Sequence, residues 1–304
     1  MLKTLNTGIK LIFAPLMLGL IIIILERLVV RPKKDEWCFI VGPHLGDIFI
    51  GLGILRVYKK KMQIKRICIL VDKKYYFIAK SLNVDDKIIR MPHIPEVLYP
   101  MMNAYRVRRP GIISTPPDFN FPFINREEVG KELKRSLVLV EKYKVLRLFK
   151  DLNLHIGKTV ILFPFYSGGK YLSLNESFWN DLINKISDLG YDVVVNSNAM
   201  EFGNKNCLVY NIPLDLMQKF VEYAGVAISI RSGICDFIIP AKALKIVLYY
   251  DKDQMLYWSF KNYGISDFKE INLSKSTEDD IIKEILKMIK INKKPDKLKI
   301  RQAI

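Results

Sequence analysis

From Trp37 onward, short apolar runs alternate with segments whose apolar positions recur every three or four residues. Residues 37–41 (WCFIV) read as a strand, 43–47 (PHLGD) as a loop, and a helix is predicted from about Ile48 to Lys61. A further strand is predicted at 66–71 (RICILV), and a helical turn (YFIAKSLN) then leads to KIIRM. This βαβ rhythm implies a parallel sheet with helices on its faces. Residues 92–125 break the rhythm with seven prolines, interleaved with Tyr99, Met101, Met102, Tyr105, Phe119, Phe121 and Phe123. A long irregular stretch of this kind is more often functional than filler. One basic helix is predicted from about Arg126 to Leu152.

A second βα series follows. Strands are predicted at 159–165 (TVILFPF), 192–198 (DVVVNSN), 226–230 (VAISI) and 245–250 (KIVLYY). Helices are predicted at Glu176–Leu189, Leu214–Tyr223 and Glu278–Ile291, and SGICDFIIPAKAL reads as a loop entering a helix. The expected organisation is an N-terminal segment 1–34, a first α/β domain 35–150, a second 151–290 and a basic tail 291–304. In such sheets ligands sit beyond the carboxyl ends of the strands, so the loops there are where chemistry is sought.

The chain has 304 residues, half of them hydrophobic, which suits two domains that each bury a core. Disorder, a repeat array and a small disulfide scaffold are excluded by the apolar content, the lack of a fixed period and the length. Forty-eight Lys and Arg against 31 Asp and Glu give a formal charge of +17. That surplus attracts polyanions: nucleic acid, anionic lipid headgroups or phosphorylated ligands. Cys38, Cys68, Cys207 and Cys235 form no CxxC or zinc spacing, which fits a reduced cytosolic chain.

The N-terminus stands apart. Leu11–Leu25 is an uncharged apolar run with Lys3 and Lys10 before it and Arg27, Arg31, Lys33 and Lys34 after it. As a helix it reaches ~22 Å, short of a ~30 Å hydrocarbon core. No small-x-small cleavage site follows it. A short or tilted anchor, an in-plane membrane helix and a helix packed on the protein itself are the three readings. Membrane association is the expectation, with residues 35–304 on the cytoplasmic side if the segment spans. Arg56, Lys59, Lys60, Lys61, Lys65 and Arg66 form a basic cluster read either as a second contact with an anionic surface or as a solvated helix face.

Three loops carry candidate chemistry. Gly46-Asp47 opens the first helix; Asp47 is either an N-cap or a general base, with His44 nearby. Ser167-Gly168-Gly169-Lys170 is either a flexible turn or a phosphate loop in which glycines expose N–H groups and a lysine adds charge. Its spacing is not that of a P-loop. Arg231-Ser232-Gly233 at a helix start suits a diphosphate, the alternative being a buried salt bridge between Arg231 and Asp236. Asp251-Lys252-Asp253 matches a DxD metal pair, a pattern common by chance.

In order, these pieces resemble the family 9 glycosyltransferases, the group of the lipopolysaccharide heptosyltransferases. The resemblance rests on GDIFIGLGILR (46–56), LFPFYSGGK (162–170) with the following FWNDL helix, and AISIRSGICDFI (227–238). It implies two facing Rossmann-like domains in the GT-B arrangement, with the active site between them, no metal and no cofactor. It places the catalytic base on Asp47 and the donor phosphates near Lys170. The family's third motif is an Asp-Ser/Thr-Gly-x-x-His pattern, which here has Arg231 first and Asp236 last. Those departures imply a divergent branch.

The function expected is inverting glycosyl transfer from a nucleotide-diphosphate sugar to a lipid-linked or cell-surface glycan. Ser167, Gly168, Gly169, Lys170, Arg231, Ser232, Gly233 and Asp236 are expected on the donor side, and His44, Tyr99, Tyr105 and Arg108 on the acceptor side. The alternatives are a non-catalytic basic Rossmann-like binding protein and a membrane-bound pseudoglycosyltransferase. No nucleic-acid recognition motif favours the former.

Overall fold

In the computed structural model, the residues described are 36–41, 44–82, 87–91, 112–114, 125–138, 140–165, 174–197 and 204–292. The expected N-terminal segment, most of the aromatic stretch 92–125 and nearly all of the basic tail lie outside them. Among the described residues, no helix is long and apolar enough to cross a membrane. The chain divides into two compact units, Met1–Leu139 and Val140–Ile304.

The first unit contains a four-stranded sheet of β1 (Glu36–Ile40), β2 (Arg66–Asp72), β3 (Lys87–Met91) and β4 (Ile112–Ser114). The order is β3-β2-β1-β4, and every pairing is parallel. Helix α1 (Leu45–Lys61) joins β1 to β2 and buries ten residues, including Ile48, Phe49, Leu52 and Leu55. Burial around so much of its circumference marks a core helix rather than a surface one. The short helix α2 (Tyr76–Ser81) leads towards β3.

Helix α3 (Arg126–Arg135) starts from Asn125, whose side chain accepts from the Glu127 N–H, and packs on α1. Gly53 permits that approach: a Cβ there would lie 2.7 Å from Leu133 Cδ2.

The single helix expected over 126–152 is two helices. Helix α3 ends at Arg135, and Ser136 turns its hydroxyl back onto the Glu132 carbonyl at 2.7 Å. Helix α4 (Lys142–Asp151) belongs to the other unit, where Phe149 meets Phe220 with ring centroids 4.5 Å apart. The two amphipathic segments serve different cores, one in each compact unit.

The second unit is built on β5 (Thr159–Phe163), β6 (Asp192–Val195), β7 (Leu208–Val209), β8 (Gly225–Ile230), β9 (Leu244–Tyr249) and β10 (Phe268–Asn272). The order β10-β9-β8-β5-β6-β7 is all-parallel, the doubly wound Rossmann sequence. Strand β5 is buried at all five positions, as a parallel strand covered on both faces must be.

Helix α5 (Glu176–Asp188) begins at Asn175, which accepts from the Phe178 N–H at 2.9 Å. It buries Phe178, Trp179, Leu182, Ile183 and Ile186 on one stripe. Helix α6 (Leu214–Ala224) stops at Gly225, whose φ of +94° and contact with the Gly157 backbone suit only glycine. The short α7 (Gly233–Phe237) follows β8, α8 (Lys252–Trp258) follows β9, and α9 (Glu278–Asn292) closes the described chain.

Candidate functional site

All three candidate motifs come after inner strands. Gly46-Asp47 lie in the first turn of α1, after β1; Ser167–Lys170 come after β5 in the sequence; and Arg231-Ser232 follow β8. Strands β5 and β8 pair side by side, with Leu162 opposite Ile228 and Phe163 opposite Ser229. From that pair the strand order runs outward in opposite directions, so its carboxyl edge is the topological switch point at which such sheets bind ligands. In the first unit the order reverses in the same way at β1 and β4.

Asp47 is not an N-cap. The cap position falls on His44, which has extended backbone and makes no side-chain capping bond, and Asp47 sits in the first helical turn. A half-buried carboxylate there is favoured by the positive end of the helix dipole. His44 is exposed beside it. Ser167, Gly168, Gly169, Lys170, Tyr99, Tyr105 and Arg108 lie outside the described residues.

The loop after β8 is held from several sides. Arg231 Nη1 donates to Asp236 Oδ2 at 2.9 Å and Nη2 to Asp236 Oδ1 at 2.7 Å, a bidentate pair. The guanidinium also donates to the carbonyls of Ser232 (2.8 Å) and Trp258 (3.4 Å) and lies over the Phe260 ring at 5.0 Å. Arg231 is 8% exposed and Asp236 4%. Burial pulls the guanidinium pKa down, but the charge and hydrogen bonds of Asp236, together with the neighbouring Cys235 and Tyr249, outweigh it and hold Arg231 above its ordinary value. Burial also pushes the Asp236 carboxyl up, against the pull of Arg231.

The alternative raised from the sequence, an internal ion pair, is therefore what forms. Arg231 and Asp236, expected as donor ligands, have their charges directed at each other, which leaves little of either to offer a phosphate. Gln218, buried on α6, donates to the Phe237 carbonyl at 2.7 Å and ties down the far end of the motif. Cys235 lies 3.2 Å from the Ser229 hydroxyl, and burial pushes its thiol up, so it packs as an inert small side chain.

Ser232 differs from its neighbours. It occupies the N-cap position of α7 in extended backbone with no side-chain capping bond, and its buried hydroxyl has no partner among the described residues. Gly233 follows directly, and first-turn N–H groups have no acceptor within their own helix.

Sequence reasoning did not anticipate the support behind this loop. Glu270 accepts from the Phe260 N–H (2.9 Å) and the Ser259 hydroxyl (2.8 Å), and the Tyr249 hydroxyl lies 2.7 Å from it. That network holds the Trp258–Phe260 segment against Arg231. Of the DxD pair, Asp251 caps α8, accepting from the Gln254 N–H at 2.7 Å. Among the described residues, no group of three or more His, Cys, Asp and Glu is arranged to hold a metal.

Part of the basic cluster is spoken for as well. Lys60 pairs with Glu132 and Lys61 with Glu128, and Arg56 donates to the Ser136 hydroxyl at 2.9 Å. These three side chains bind α3 and its cap, so the cluster is not wholly a free basic surface.

The architecture is that of two parallel α/β units of Rossmann type. No family model matches the sequence, and no curated protein matches it either. Solved structures do match. The E. coli ADP-heptose lipopolysaccharide heptosyltransferase II aligns over 84% of this chain and 99% of its own, with a TM-score of 0.58 at 11% identity. A family 9 glycosyltransferase from Veillonella parvula aligns over 83% and 90%, with a TM-score of 0.56 at 14% identity. E. coli heptosyltransferase WaaC, solved with ADP, gives 0.52 at 12% identity over 84% and 99%. The chain thus has the fold of the family 9 glycosyltransferases in a divergent sequence.

Proposed function

We propose that the protein is an inverting, metal-independent glycosyltransferase. It moves a sugar from a nucleotide-diphosphate donor to a hydroxyl of a lipid-linked or cell-surface glycan, as in lipopolysaccharide or capsule synthesis. What supports this reading is the order of the three motifs in the sequence, each coming after an inner strand (β1, β5 and β8), within a fold shared with heptosyltransferases. One of those heptosyltransferases was solved with ADP.

In this reading Asp47 removes the proton from the acceptor hydroxyl as its oxygen attacks the anomeric carbon. The bond from that carbon to the diphosphate oxygen breaks on the opposite face, and the nucleoside diphosphate leaves. Its growing negative charge is met by Lys170 and by N–H groups of Ser167–Gly169 and Ser232–Gly233. Arg231 and Asp236 act one step back, as positioning residues that fix the Ser232–Gly233 backbone. The N-terminal apolar segment keeps the enzyme at the cytoplasmic face of the membrane, beside its acceptor.

The test is the thermal stability of the chain against ADP, GDP, UDP, dTDP and CMP, with and without EDTA. A ligand at ~100 times its Kd stabilises by about 2.7 kcal/mol. A shift with one nucleotide that survives EDTA identifies the donor class and supports metal-free binding. No shift with any of them would remove the donor assignment and leave only the fold.

A further inference from the structure

Helix α9 has two unlike faces. Ile281, Ile282, Ile285 and Ile289 are buried and join the core of the second unit. On the opposite side Lys283, Lys287 and Lys290, spaced four and three residues apart, lie along successive turns and are exposed. Leu286 is half-buried beside them, and Ile291 ends the row at 63% exposure. Lys287 and Lys290 make no ion pair among the described residues, whereas Lys283 lies 3.7 Å from Asp280. The other acids of the helix are Glu278 and Asp279 in its first turn, and Glu284 beside the row. In the sequence Lys293, Lys294, Lys297, Lys299 and Arg301 follow, against one acid, Asp296.

One exposed isoleucine is ordinary on a protein surface. Set at the end of a lysine row that the chain prolongs with five more basic residues, it belongs to a different pattern. Lysines of such a row reach lipid phosphates, and aliphatic side chains between them enter the acyl boundary. A nucleic acid would engage the lysines and leave Ile291 idle.

We propose that the solvent face of α9, from Lys283 to Ile291, is a contact surface for anionic phospholipid. The surface is distinct in sequence from the N-terminal apolar run and does not depend on the chemistry at Asp47, so lipid binding and turnover can fail independently.

The experiment partitions the full chain between buffer and vesicles of phosphatidylcholine, with or without phosphatidylglycerol. Lys287→Gln/Lys290→Gln should weaken binding to the anionic vesicles about fivefold per lysine, while binding to neutral vesicles stays unchanged. The exposed pair Lys242→Gln/Lys269→Gln, elsewhere on the same unit, is the control. An equal loss from the control pair would reduce the effect to diffuse net charge and overturn the proposal. Ile291→Trp supplies a local reporter: its added emission should shift to the blue on anionic vesicles. If the chain sediments with those vesicles and that emission does not move, α9 is not the contact. If an oligonucleotide is bound with the same dependence on Lys287 and Lys290, and Ile291→Ser leaves vesicle binding unchanged, the face is a polyanion site and the lipid assignment fails.

Discussion

Arg231 and Asp236, five residues apart across the turn from β8 into α7, close a buried bidentate ion pair at 2.7 and 2.9 Å. A pair of this kind is costly to bury and more costly to break, because removing one partner strands the other. Asp236→Asn should therefore destabilise the second unit by about 3–5 kcal/mol in urea unfolding. Arg231→Lys keeps the charge but loses the fork that also holds the Ser232 and Trp258 carbonyls. It should leave the unit folded and weaken the nucleotide-induced thermal shift. If both variants bind nucleotide as the wild type does, the pair does not position this loop.

Asp47 lies in the first turn of α1, at the carboxyl end of an inner strand, with a cap that does not depend on it. Asp47→Asn should lower kcat by ~10²–10⁴-fold, the usual worth of a general base. Nucleotide affinity should stay nearly unchanged, since the loops proposed to hold the donor belong to the other unit. Steady-state kinetics paired with calorimetric titration of nucleotide separates the two. A parallel loss of affinity and turnover would make Asp47 a structural residue.

Lys60 and Lys61 are bound by Glu132 and Glu128 of α3. The lysine end of each pair is open to solvent, and such pairs contribute little, with a median of ~0–1 kcal/mol. Glu128→Gln/Glu132→Gln should thus barely move the melting temperature yet free two lysines for polyanions. Retention on a heparin column should then need more salt for elution. Unchanged retention would mean that the pairs do not mask the cluster.

Much of this architecture is legible in the sequence where burial imposes a strong pattern. Strands β5, β8 and β9 read directly, because a parallel strand covered on both faces is a near-continuous apolar run. The elements that escaped lack that pressure. Strand β4 has three residues and lies inside a proline-rich stretch, and β10 is an edge strand in which only Phe268 and Ile271 are buried. Helix α8 buries none of its residues, so nothing in its spacing marks a face. At the site, the Arg231–Asp236 pairing is one of two sequence readings because the residues stand five apart across a strand-to-helix turn. Trp258, Phe260 and Glu270 were out of reach, since only the lateral order β8-β9-β10 brings them to Arg231.

Tyr249 makes that buried network sensitive to alkali. Its side chain is fully buried, and burial, then the neighbouring Glu270 carboxylate, raise its hydroxyl far above the ordinary tyrosine pKa, with Arg231 opposing. The folded protein therefore keeps this proton after the unfolded chain, with a tyrosine pKa of about 10, has released it. Fewer protons on the unfolded state mean that stability falls as pH rises. The contribution is intact below about pH 10 and is lost above it by up to ~1.4 kcal/mol per pH unit. Tyr249→Phe removes the titrating group and leaves Glu270 with the Ser259 and Phe260 donors. It should cost about 1 kcal/mol at neutral pH, the worth of one hydrogen bond, and flatten the alkaline slope. Urea unfolding of both proteins at neutral pH and between about pH 10 and pH 11 reads the difference. Parallel curves across that range would show that Tyr249 ionises as easily in the folded state as in the unfolded one, and would contradict its burial against Glu270.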